Sequence, residues 1–258
     1  MTENLDLQIE KWEKKSRLIV RDDLYEISEL REIFDKASRR KLKISLLDTG
    51  HLAPEDIELL STYRFSLYTS DSVRSDFEEL SLLHQLLKSK GCRMYYVIDG
   101  DLEKDSKLFD NLELFDSIFI SSREKDIDLE LLTSLAGEIS RSRSNLVYYH
   151  HQNPDESLAE ICQHNCWIHI SSKNLTEEME ILILDLIKRA KKNKVQVIIH
   201  IEDSKPYSFL KRLYSWGAYL IFNLSPVGRS EKIYELIKTC EKKKLPEKAF
   251  YLYKEVMA

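Results

Sequence analysis

Three stretches in the second half of the chain end alike: Ile168-His169-Ile170-Ser171, Ile199-His200-Ile201-Glu202 and Phe222-Asn223-Leu224-Ser225. In each, a polar residue sits between apolar ones and a second polar residue follows two positions on. On a β-strand, whose side chains alternate with a period of two, both polar residues point to one face. Asp203 follows Glu202 directly, and His150 closes a similar run, Leu146–His150. Imidazole nitrogens and carboxylate oxygens gathered at one place are the ingredients of a divalent-metal site, with His150, His169, His200 and Glu202 as its ligands. Such a metal would lower the pKa of a bound water for hydrolysis. Without a metal, His169 or His200 beside Glu202 or Asp203 makes a general acid–base pair. The plainer alternative is that polar strand ends satisfy one another and the adjoining loops.

A second group lies in Ser225-Pro226-Val227-Gly228-Arg229-Ser230. Gly228 permits close backbone approach, Arg229 is a cation, and Ser230 stands where a helix begins. Together they suit a phosphate or carboxylate, although Pro, Gly and a capping Ser are also ordinary turn chemistry. Cys162, His164, Cys166 and His169 have zinc-binding side chains, but their spacing is not that of a structural zinc site. Buried cysteine acting as a small core residue is the simpler reading. The His-x-His that amidohydrolase-type barrels carry on their first strand is missing from Leu18-Ile19-Val20-Arg21-Asp22. There is no Gly-x-Gly-x-x-Gly, no Walker-type Gly-Lys-Ser/Thr and no Gly-x-Ser-x-Gly, so no nucleotide cofactor is expected. The six glycines point the same way.

The elements that must position these residues follow one pattern. Lys194–Asp203 (KVQVIIHIED) is a near-continuous β-branched run with its polar residues at the carboxyl end. That is how a strand buried on both faces of a parallel sheet reads. Eight further runs resemble it: Leu18–Asp22, Lys43–Asp48, Phe65–Asp71, Arg93–Asp99, Ser117–Ser121, Leu146–His150, Trp167–Ser171 and Tyr219–Ser225. Helical periodicity separates most of them, most regularly in Met179, Leu182, Ile183, Leu186, Ile187 and Ala190. Pro54 suits a first helical turn. Ser75 with Glu78 predicts a capping box, and Gly91 and Gly217 predict helix stops. The alternation predicts an α/β fold, a (β/α)8 TIM-barrel-like single domain over residues 18–258 behind an N-terminal helical arm over 1–17. Nine strands for eight places leave one outside the barrel, or else the sheet is open and doubly wound. In either case ligands are expected at the carboxyl ends of the strands.

The net charge of −5 gives no reason to expect a nucleic-acid partner. No apolar run reaches membrane-spanning length, and the first residues lack a secretory signal's apolar stretch. Four irregularly spaced cysteines do not form a disulfide framework. These readings predict a cytoplasmic protein with a small-molecule ligand, anionic if the Gly228–Ser230 loop binds it. The function expected is metal-assisted hydrolysis at the mouth of the strands. The alternative is a non-catalytic barrel serving as a ligand-binding or protein-interaction module.

Overall fold

A computed structural model describes residues 17–103, 106–123, 126–162, 164, 166–223 and 230–242. The arm expected over 1–17 lies outside them, except that Arg17 opens the first strand. Gly228 and Arg229 of the expected anion loop also lie outside.

The fold is α/β, with parallel strands and intervening helices in the manner of a (β/α) barrel. The chain forms two compact units: residues 1–100 with 113–116, and residues 101–112 with 117–258. All nine expected strands are present.

The first unit holds β1 (Arg17–Arg21), α1 (Ile27–Arg39), β2 (Lys43–Leu47), α2 (Pro54–Leu60), β3 (Ser66–Ser70), α3 (Phe77–Ser89) and β4 (Arg93–Ile98). Its strands pair in chain order, β1 with β2, β2 with β3 and β3 with β4. Register puts Leu18, Ile44 and Leu67 on one face, and Arg17, Ser45, Tyr68 and Tyr95 on the other. Each helix turns its apolar stripe to the core, as Leu30, Ile33, Phe34 and Ala37 do in α1.

The second unit holds β5 (Ser117–Ser121), α4 (Leu129–Arg141), β6 (Leu146–His150), α5 (Leu158–Ile161), β7 (Cys166–Ser171), α6 (Glu180–Lys192), β8 (Val197–Ile201), α7 (Tyr207–Trp216), β9 (Tyr219–Phe222) and α8 (Glu231–Glu241). These strands also pair in chain order from β5 to β9. Neither unit contains the reversal of order that marks a doubly wound sheet.

Local signals account for most helix ends. Pro54 stands at the start of α2. Gly91 follows α3 with φ 75°, and Gly217 ends α7 with φ 117°, a region that costs a side chain dearly. The capping box expected at Ser75 is not formed there. Asp76 is the N-cap of α3 and accepts from the Glu78 N–H, because its carboxylate reaches one residue later than Ser75 would. A capping box does form at α1, where Glu26 and Glu29 exchange bonds.

One device recurs through both units. The residue that follows each of β1, β3, β5 and β7 accepts a backbone N–H just past the end of the next strand. Asp22 takes Thr49 N–H (2.9 Å), and Asp71 takes Asp99 N–H (2.8 Å). Ser122 takes His151 N–H (3.0 Å), and Ser172 takes Glu202 N–H (3.0 Å). The four acceptors stand at positions 22, 71, 122 and 172, a period close to 50 residues.

Candidate functional site

The carboxyl ends of β6 to β9, all within the second unit, carry the polar cluster. Register aligns Tyr149 with His169, and Ser171 with His200. Since alternate residues share a face, Tyr149, His169, Ser171 and His200 point the same way. Ile168, Ile170, Ile199 and Ile201 point the other way. The alternation read from the sequence therefore brings His169 and His200 together.

Their contact is direct. His169 Nδ1 lies 2.9 Å from His200 Nε2, which makes one a donor and the other an acceptor. The two ring centroids are 5.2 Å apart, and Tyr149 stacks on His169 at 4.2 Å while its centroid stays 6.4 Å from that of His200. All three residues are at most 2% exposed. Burying two polar rings this deeply is costly unless their nitrogens are bonded, and the bond between them satisfies one nitrogen of each. Asn223 extends the chain. Its Nδ2 is 3.4 Å from His200 Nδ1 and donates to Glu202 Oε1 at 3.3 Å. Glu202 also accepts from the Ser171 hydroxyl at 2.5 Å. A small recess of about 10 Å³, room for about one water, opens here, lined by Tyr149, His150, His151, His169, Ile170, Ser171 and His200. That is far below the roughly 300–1,000 Å³ of drug-sized ligand pockets.

The other expected site residues do not join the pair. His150 belongs to the opposite face of β6, one residue out of phase with Tyr149. Its Nδ1 meets the Tyr148 hydroxyl at 3.1 Å instead of the His169–His200 pair. Burial holds the His150 imidazole below its ordinary pKa, against a smaller opposing pull from the Asn153 backbone and Asp155. Burial also pushes the Tyr148 hydroxyl up to about 12. Asp203 is tied to the Ser172 hydroxyl and to Lys205 Nζ at 3.0 Å. Burial raises its pKa, but Ser172 and Lys205 together outweigh that and hold it below the usual carboxylate value. Asp203 thus locks the turn after β8. Ser230 is the N-cap of α8 by position, although its side chain makes no capping bond.

The metal expected from the sequence does not find its ligands. Among the described residues, no three of His, Cys, Asp and Glu are placed to hold one. His169 and His200 engage each other, Glu202 engages Ser171 and Asn223, and His150, although it borders the recess, is bonded to Tyr148. The Cys162–Cys166 region is equally unsuited. Both thiols are fully buried, and burial pushes Cys162 up to about 12 and Cys166 well above its ordinary value. A thiol so disfavoured as thiolate is a poor ligand or nucleophile.

The aspartates that close strands in the first unit prove to be structural. Asp22 takes the Thr49 and Leu52 N–H groups and the Thr49 hydroxyl. Asp71 takes those of Asp99 and Gly100. Asp48 is a buried partner of Arg74, whose Nε and Nη2 reach its two oxygens at 2.6 and 3.1 Å. Burial pulls the Arg74 pKa down, and the pairing with Asp48 and Glu79 more than reverses this. The sequence of β6 alone does not tell Tyr149 from Tyr148; register with β7 is what sets Tyr149 beside His169.

No protein-family model matches the chain, and no curated protein matches it. Solved structures do. Citrate synthase SbnG is 10% identical over 77% of this chain and 91% of its own, with TM-score 0.39. D-psicose 3-epimerase from Clostridium cellulolyticum H10 is 10% identical over 73% and 91%, with TM-score 0.37. The 3-dehydroquinate dehydratase from Aquifex aeolicus VF5 is 12% identical over 88% and 97%, with TM-score 0.38. Likeness this faint says nothing of chemistry, which must be argued from the residues of this chain.

Proposed function

We propose that the protein is a small-molecule enzyme that uses the His169–His200 pair to move a proton on a small polar ligand bound at the carboxyl ends of β6 to β9. The observation that supports this reading is the hydrogen-bonded imidazole pair, buried beside a small recess and stacked against the Tyr149 ring. Imidazole is the side chain best suited to gain and lose protons near neutral pH. In this reading His169 and His200 are the acid–base groups. Asn223 holds His200, Glu202 holds Asn223, and Ser171 holds Glu202. Metal-assisted hydrolysis is not part of the proposal, because the donors among the described residues do not form a ligand set. No nucleotide cofactor and no nucleic-acid partner enter it. No helix among the described residues is long and apolar enough to cross a membrane. The four described cysteines are all free and buried, which supports a reducing, cytoplasmic setting.

The test is a ligand screen read through the histidines. Small hydroxy acids, keto acids and sugars are added to protein labelled at histidine, and the ring resonances are followed. A ligand of the proposed kind shifts the His169 and His200 signals, and His169→Ala and His200→Ala each weaken its binding at least tenfold. A screen in which none of these compounds moves either resonance sinks the enzyme reading. The small size of the recess favours the competing reading in that event, a barrel without catalytic machinery that serves as an interaction module.

A further inference from the structure

We infer that Asn223 and Glu202 are positioning residues that fix the direction of the histidine pair, holding both imidazoles in the Nε2–H tautomer. The inference deepens the proton-transfer reading and rests on it for its chemical meaning, though its test needs no ligand.

The reasoning follows the donors. An ionised carboxylate only accepts hydrogen bonds, so the Asn223 amide must turn its NH2 toward Glu202 Oε1. The Ser171 hydroxyl, donating to the other oxygen, keeps that carboxylate in place. The same Asn223 nitrogen stands 3.4 Å from His200 Nδ1. A donor facing Nδ1 requires Nδ1 to be the acceptor, which leaves the proton of a neutral His200 on Nε2. His200 Nε2–H then donates across 2.9 Å to His169 Nδ1. By the same logic, His169 carries its own proton on Nε2. The order of donation runs from Asn223 to His200 to His169, and Glu202 sets its sense from outside the pair.

Direction has a chemical consequence. In this state His169 holds a proton on the nitrogen remote from His200, and its Nδ1 is already occupied as an acceptor. The neutral pair therefore presents His169 Nε2–H as a hydrogen-bond donor to an oxygen of the ligand, and not a lone pair. If the amide were reversed, both tautomers would invert and the pair would begin as a base.

Nitrogen-15 spectroscopy of histidine-labelled full-length protein at pH 9, where imidazoles are neutral, reads this directly. The expected result is a protonated, pyrrole-type Nε2 and an unprotonated, pyridine-type Nδ1 on both His169 and His200. A protonated Nδ1 on either ring overturns the inference. Asn223→Ala removes the donor facing His200, and the single tautomer is expected to give way to a mixture with Nδ1–H present in a substantial fraction. Glu202→Gln offers an amide that can itself donate, and the same loosening is expected. If both variants keep the backbone spectrum of the wild type and the tautomers do not change, the two residues do not position the pair and the inference fails. The outcomes separate the two proposals. Fixed Nε2–H tautomers without any ligand response retire the enzyme reading and leave this one standing. A ligand response with Nδ1–H tautomers does the opposite.

Discussion

Arg74 is a residue whose loss the first unit should feel. It lies 7% exposed, grips both oxygens of a fully covered Asp48 and reaches the Leu52 carbonyl at 2.7 Å. Arg74→Met would leave that carboxylate buried without its cation, a change that typically costs about 3–5 kcal/mol. Urea titration should show the loss as a lowered midpoint. His150 offers a test of a different kind. Its folded-state pKa is depressed, so its contribution to stability is complete above the unfolded value of about 6.5. The contribution is lost as the pH falls below that value toward the folded pKa. The urea midpoint of the wild type should therefore drop between neutral and mildly acidic pH, and His150→Gln should flatten part of that slope. Alternation along β7 and β8 made His169 and His200 legible as neighbours, since both precede a second polar residue by two. The placement of His150 was not legible. It depends on whether Tyr149 or His150 is level with His169, and a strand's own sequence does not reveal its register with the next. Asp203 follows Glu202 directly, so it leaves the strand end on a different heading and finds Ser172 and Lys205.

Helices and strands announced themselves where their signals were long. All nine strands were readable as β-branched runs, and α6 was readable from six apolar positions in phase. The short α5 could not be read, because four residues contain no period to detect. The ten-residue α7 was inferred only from its end, Gly217, although Phe209, Leu210 and Leu213 supply its buried stripe. That end makes a quantitative prediction. A Cβ at Gly217 would meet nothing closer than Lys191 Cδ at 3.6 Å, so space is not the obstacle. The obstacle is φ 117°, and Gly217→Ala should destabilise the protein by about 1–2 kcal/mol through the backbone alone. Thermal unfolding of the variant measures it. The misplaced cap at α3 has the same lesson in small: Ser75 and Asp76 are both good caps, and only the backbone entering the helix chooses between them.

Across the whole molecule, composition and alternation were enough to indicate α/β winding, but they concealed the period of about 50 residues seen in the four strand-end acceptors. The reason is chemical. Aspartate does the work at positions 22 and 71, serine at 122 and 172, and residues of unlike type hide a shared task from any reading by letter. Each acceptor reaches 27 to 30 residues ahead and fastens one strand end to the next. Their effect should be visible in isotope exchange with solvent. The amides of Thr49, Asp99, His151 and Glu202 lie past the ends of their strands, where amides ordinarily exchange fast. Bonded as they are, they should instead exchange as slowly as amides inside the sheet. Asp22→Ala or Ser172→Ala should release its own amide, and the strand pair it fastened should open ahead of the others. The chain would then lose its protection two strands at a time, in the steps of its hidden repeat.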